Sequence, residues 1–461
     1  PATGHVAGFL LPHNANDSHL SYIFFMRKIH TNPALSTVLL FSALTLSACG
    51  GEKASHTEMN SAESTPSSTT SAPVIKEGST PSSRIALSYD GGIMIVDGRE
   101  MKLIKSLPQE GFLRLNPSGD NRHITVADGS SYKILDAGSW EQPHGDHSHL
   151  YTAEPTLSSL EFAADHTGHV ITHHQKTAMF ADGTGTFEVY NPAKLTGENQ
   201  RTVEQLKTSK VTLPQPHHGF AIPLGDDHYL VAQGSEEKRT GAAVVDQHGK
   251  KLAENNQCPG VHGEAVAQDE TVTVGCEDGV LIYRDGTFTK IDNPEDPYSR
   301  SGNMAGSEKS EIVLADYKTD PDAELERPEQ FALINTAEKT RTKVQLPDGV
   351  SYTFRSLARG PQGEALLLTT DGKLRYFDQH TGKELGSVDL MGPWEESETW
   401  QDPRPAIWVT GEIAYITDPF TKKLMAVSLK NLHKDQAEKF AELELPETPN
   451  EISGVSGKTM R

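Results

Sequence analysis

The chain of 461 residues is predicted to be all-β, a single β-propeller of about eight four-stranded blades, with seven as the alternative. Three observations predict it. From Arg84 onward, short β-branched and aromatic runs alternate with Asp-Gly and related turn signals, the pattern of strands joined as hairpins. The pattern recurs about eight times up to Leu445, and its clearest starts, His169, His218 and His262, are spaced by 49 and 44 residues. A period in the forties with four short strands per unit marks propeller blades. Finally, no helix-period segment of useful length interrupts the series, apart from a possible turn around 432–442.

Taken in order, residues 1–25 precede Met26 and are expected to belong to no folded part. Residues 26–48 open with Met26-Arg27-Lys28, continue through apolar Val38-Leu39-Leu40-Phe41 and end in Leu46-Ser47-Ala48 before Cys49. A basic start, a short apolar core and small residues read as a secretory signal, too short to span a bilayer. The segment resembles a bacterial lipoprotein signal, which makes Cys49 the expected lipidated residue. Residues 49–83 are rich in Ser, Thr, Pro and Glu with almost no large apolar side chain. Such a stretch cannot bury enough surface to offset its ordering entropy, so a disordered tether is expected.

Residues 84–461 should form the propeller. Arg84–Tyr89 and Ile93–Gly98 flank an Asp90-Gly91-Gly92 turn; Phe112–Leu115 and His123–Val126 flank Ser118-Gly119-Asp120. Further units start at His169, His218 and His262, and near Gly302, Ser356 and Pro405. The first and last units are weakly marked, which leaves seven blades open.

Charge and cysteine usage narrow the function. A net charge of −21 disfavours nucleic acid, whose phosphates attract Lys and Arg. Beyond Cys49 only Cys258 and Cys276 remain, and in an exported chain they are expected to form one disulfide. Thiolate ligation of zinc is the lesser alternative, because their spacing fits no usual zinc knuckle.

The chemistry concentrates in histidine. Pro143-His144-Gly145-Asp146-His147-Ser148-His149 cannot be a regular helix, so a loop or short extended run is expected. In an extended run residues two apart share a side, so His147 and His149 would present two imidazoles to one ion, with His144 or Asp146 near. In a propeller the innermost strands line the central channel, and all start at one face. His169, His218 and His262 should therefore ring one mouth, and the His-rich loop feeding His169 should join them. Neutral imidazole is the commonest zinc ligand type, so one metal site of blade-start and loop histidines is expected. Glu264 is expected to orient an imidazole from outside the ligand set. His173 lies roughly 13 Å along a strand from His169, at about 3.3 Å per residue, and is not expected to share the ion. His174 is read as a surface or inter-blade residue, and only one of His217 and His218 can face the channel.

Several motifs carry a resemblance. Gly145–Tyr151, Gly168-His169-Val170, Asp182-Gly183-Thr184-Gly185, His217-His218-Gly219, Cys258–Ala265, Pro403-Arg404-Pro405 and Ala414–Pro419 resemble the AztD family of zinc metallochaperones. The resemblance runs over roughly 84–429. It implies an exported β-propeller that binds Zn(II) and passes it to the substrate-binding protein of a zinc ABC transporter. It also implies His147, His149, His169, His218 and His262 as metal residues, and zinc in preference to copper, which imidazole also suits. The lipoprotein signal departs from the soluble periplasmic form and implies a version anchored to the outer face of the cell membrane through its lipid alone; a monomer is expected. A metal-dependent propeller hydrolase, with Glu264 as general base, and a non-metal protein-interaction propeller are the other readings. No G-x-S-x-G elbow or other nucleophile constellation is present, so no enzyme is expected.

Overall fold

The computed structural model describes residues 74–196, 202–323 and 325–459. The expected signal segment 26–48, Cys49 and most of the expected tether lie outside them. The described residues form eight four-stranded antiparallel sheets and one three-stranded sheet. The eight are the blades of one propeller. Blades two to eight have first strands Arg114–Pro117, Thr167–His173, Ala221–Pro223, Glu264–Val266, Met304–Ala305, Tyr352–Arg359 and Ile407–Thr410. First strands of most neighbouring blades lie against one another around the centre.

The burial of each strand follows from its rank within the blade. Second and third strands, such as Gly92–Asp97 and Ala365–Thr369, are apolar runs buried on both faces. Outermost strands, such as Lys102–Pro108 and Thr340–Gln345, alternate exposed charged residues with half-buried ones. The core is therefore not one mass but a series of inter-blade seams. Phe220, Ile222 and Leu230 of blade four pack against Val272, Val274 and Leu281 of blade five. Ile85, Leu87 and Met94 pack against Tyr415, Leu424 and Ala426 of blade eight. Each Val, Leu, Ile, Phe or Met among them contributes roughly 1.5–3 kcal/mol when fully buried.

Blade one explains why both ends of the repeat are faint in the sequence. Its first strand is Ile452–Val455, paired with Arg84–Tyr89 in the register Arg84↔Val455 to Leu87↔Ile452. The strands Gly92–Asp97 and Lys102–Pro108 complete it. The repeat closes on itself with one strand from the far end of the described chain and three from its beginning, so neither end alone shows a full unit. The turn near 432–442 is a single 3-10 turn, Leu432–Lys434, followed by the outer strand Glu438–Glu444.

The expected tether gives way to structure before residue 83. Lys76–Gly78 form a strand against His147–Thr152, with Glu77 opposite Tyr151. The backbone of an edge strand offers unpaired N–H and C=O groups to any extended neighbour, and polar composition does not prevent that pairing.

Candidate metal centres

Strand polarity decides where the histidines go. In each antiparallel blade the first strand runs away from the face where it begins, the second returns and the third runs away again. Turns from first to second and from third to fourth strand thus share the face opposite the first-strand starts. His169 lies near the start of Thr167–His173, and His218 and His262 just precede Ala221–Pro223 and Glu264–Val266. The three come together at one mouth of the channel, as expected.

The His-rich segment does not join them. It forms a hairpin, Ser139–His144 and His147–Thr152, with Gly145 at φ +62 in its turn. The hairpin is inserted between the third and fourth strands of blade two, so it stands on the opposite face. Its contacts agree: Ser139 Oγ donates to Ser82 O at 2.7 Å, and Arg122 stacks over Trp140 at 4.0 Å. The segment also does not feed His169 directly, since the whole strand Thr156–Ala163 intervenes. The expectation of one site made from loop and blade-start histidines is therefore corrected to two separate clusters. The chain's spacing located both, but the insertion point of the hairpin within its blade is a register fact that histidine spacing does not carry.

In the channel cluster each imidazole is oriented by its own acceptor. His169 Nδ1 lies 2.8 Å from Glu264 Oε1, His218 Nδ1 2.6 Å from Asp182 Oδ2, and His262 Nδ1 2.6 Å from Gly302 O. Carboxylates and a carbonyl accept, so the three Nδ1 atoms carry the protons and the three Nε2 atoms present lone pairs. His218 Nε2 and His262 Nε2 face one another at 3.1 Å, and the three ring centroids are 5.1 to 5.5 Å apart. Lone pairs held together this way repel unless a cation sits between them. Tetrahedral Zn–N bonds of ~2.0–2.1 Å would set ligand atoms about 3.3 Å apart, close to the pair observed. Donation of the far ring nitrogen to a carboxylate or carbonyl is how metal-binding histidines are usually oriented. Burial, and then repulsion from His169 and His218, hold the His262 pKa well below the usual histidine value, so its imidazole stays neutral.

The local backbone makes these contacts possible. Gly263 has φ +77, and a Cβ there would meet Gly302 C at 2.8 Å, blocking the approach that gives His262 its carbonyl. At Gly168 a Cβ would stand 2.2 Å from Asp182 Oδ1. The Cys258–Cys276 disulfide, with Cα atoms 4.8 Å apart, pins the segment leading to His262 against the end of the second strand of blade five, as the cysteine count predicts. Thiolate ligation is thereby set aside. Glu264 meets its expected orienting role and, engaged with His169, is not a free general base. Asp182 and Gly302 as orienting groups were missed. Asp182 belongs to a turn motif already singled out, but only the three-dimensional pairing of blades three and four gives it His218.

His217 and His218 diverge as expected. His217 is buried, with its ring nitrogens 2.9 Å from Gln215 O and 3.1 Å from Ala232 O.

The hairpin cluster repeats the chemistry in the open. His147 Nε2 and His149 Nε2 are 3.2 Å apart, His149 Nδ1 lies 2.6 Å from Glu77 Oε1, and His147 Nδ1 lies 3.1 Å from Asp146 Oδ1. His144 stands directly across from His147 in the hairpin register, its ring centroid 5.2 Å away. The His147 side chain is 56% exposed and Asp146 is fully so. The ligand atoms of each triad lie within 4.8 Å of one another.

Comparison with known proteins places these clusters in context. No family model matches the chain. It is 26% identical over 379 residues, 79% of this chain and 84% of the relative, to a protein named zinc chaperone AztD from Citrobacter koseri. The fold matches the crystal structure of Citrobacter koseri AztD with a TM-score of 0.69 at 23% identity, covering 83% of this chain and all of that one. The apo AztD structure from the same organism gives 0.68, over 82% of this chain and 98% of its own.

Proposed function

We propose that this protein is a zinc carrier, not an enzyme, that captures Zn(II) and passes it to the substrate-binding protein of a zinc ABC transporter. The observation that carries the reading is the channel cluster, where three Nδ1 atoms are fixed by acceptors and three Nε2 lone pairs converge. That arrangement suits a resident or transported cation and supplies no nucleophile. His169, His218 and His262 are the holding site. His147 and His149, with His144, form a separate, accessible station at which a partner's ligands can meet the ion. The similarity to a zinc chaperone supports zinc over other imidazole-loving metals.

A competitive zinc titration coupled to stopped-flow transfer tests the assignment. The His147→Ala/His149→Ala variant is expected to keep tight zinc binding in the channel but to transfer zinc more slowly to an acceptor. Equal rates for wild type and variant would sink the hairpin's part.

We also propose that the protein acts as a monomer outside the cytoplasm, anchored to the outer face of the cell membrane by lipid on Cys49. No helix among the described residues is long and apolar enough to cross a membrane. Cys49→Ser should release the protein from the membrane fraction, or leave its signal uncleaved, without altering zinc binding. A correctly processed variant that stays on the membrane would refute the anchor.

A further inference from the structure

A third cluster stands at the other end of the blades that build the channel triad. Thr167–His173 begins near His169 and ends at His173, about 13 Å further on at roughly 3.3 Å per residue. There, the ligand atoms of His173, His174 and Glu270 lie within 4.8 Å of one another. His174 follows the first strand of blade three, and Glu270 lies in the turn Gln268–Glu270 after the first strand of blade five. Blade four packs between, and a Cβ built on its Gly225 would lie 4.0 Å from the His174 ring.

The orientation of these groups is that of ligands. His173 Nδ1 lies 2.7 Å from Pro223 O, so it donates and leaves Nε2 with its lone pair free, as in the channel triad. His174 Nε2, buried, lies 2.7 Å from Glu270 Oε1, a separation bridged by either a proton or a cation. The rings of His173 and His174 stand nearly perpendicular, 4.6 Å between centroids. His174 and Glu270 have φ +49 and +56, in tight turns where Asn, Asp or Gly is the usual occupant. Two histidines and a glutamate form a known zinc ligand set that leaves coordination positions open.

We propose that His173, His174 and Glu270 form a third divalent-cation site, of zinc or cobalt type, at the mouth of the channel opposite the His169–His218–His262 triad. It lies on the same face as the His-rich hairpin and on the same first strand as His169. With its Glu270 side chain 62% exposed, it holds its ion more loosely than the channel triad does. The proposal concerns binding alone and does not depend on zinc transfer to a partner.

The test uses the full chain with His144, His147, His149 and His262 all changed to Ala, which disables the other two clusters. Equilibrium dialysis against Co(II), with visible absorption to report nitrogen ligation, should find one bound ion per chain. Adding His173→Ala, or separately Glu270→Gln, should remove it. His174→Asn, whose side chain tolerates the left-handed turn, should remove it too while thermal unfolding stays unchanged. Absence of bound cobalt in the four-histidine variant, or a bound ion indifferent to His173, His174 and Glu270, would overturn the site. Loss of the channel triad's zinc affinity through His262→Ala is a separate measurement, so the holding site can fail while this one stands.

Discussion

The channel triad and the hairpin triad contain the same three side chains and nearly the same Nε2–Nε2 separation, 3.1 and 3.2 Å, yet they are different devices. In the channel, every histidine comes from a different blade and is fixed by a partner from a neighbouring strand or loop, including Asp182, Glu264 and Gly302. In the hairpin, all three come from one two-stranded ribbon, and the orienting carboxylates, Asp146 and Glu77, are largely exposed. The first geometry is held by the whole ring, the second by a few backbone pairs. Ligand identity thus sets what can bind, while the scaffold sets how firmly the site keeps its shape. On the proposed function, affinity belongs to the preorganised site and accessibility to the other.

The sharpest way to break this contrast is His262→Ala. A structural zinc site in a zinc-finger peptide is worth roughly 10–16 kcal/mol, so one of three ligands carries about 3–5 kcal/mol. Zinc affinity at the channel should fall on the order of a hundred- to several-thousandfold, measured by competition with a chromophoric chelator. An unchanged affinity would mean that the tight site lies elsewhere.

The disulfide comes next. Changing both Cys258 and Cys276 to Ser should cost about 3 kcal/mol of folding stability, chiefly by freeing the unfolded chain. Denaturant unfolding reads the loss directly. The hairpin, remote from the cystine, should keep its metal binding, and a parallel loss there would erase the distinction between the two regions.

Acidity gives a smaller, graded test. An ordinary imidazole titrates near ~6.5, but burial and two neighbouring rings lower the His262 pKa. The folded state therefore binds a proton at His262 less readily than the unfolded chain does. Stability of the metal-free protein should decline as pH falls below ~6.5 and level off only below the depressed folded value. The same shift lets His262 compete for zinc at a pH where a free imidazole would already be protonated. A variant lacking His144, His147 and His149 should retain zinc below pH ~6.5, read by equilibrium dialysis; release centred at or above that value would contradict it.

Much of this architecture was legible in the residues. Strand runs such as Ile93–Val96 and Ala406–Val409, and the spacing of His169, His218 and His262, pointed to blades and to a shared mouth. Two things were not. Closure of the ring by Ile452–Val455 pairs residues more than 360 positions apart, and no local pattern announces such a partner. The hairpin's face depends on whether it interrupts a blade between its third and fourth strands or links two blades, which shifts it across the molecule. Period alone cannot tell these apart. His173 was set aside because distance along a strand separates it from His169, and His174 as a surface or inter-blade residue. The distance reasoning held for His173, and it concealed that the strand's far end brings His173 and His174 together with Glu270.

Ring closure also orders events in time. Arg84–Tyr89 is among the first blade strands to emerge during synthesis, and Ile452–Val455 is the last. Until that last strand arrives, Arg84–Tyr89 presents an open edge to any extended peptide nearby. The channel lacks one of its staves until then, so blades three to five can form while the ring that holds their histidines at a fixed spacing cannot. Clipping the chain a few residues before Ile452 would leave His169, His218 and His262 in the chain and still undo the circle that aims them.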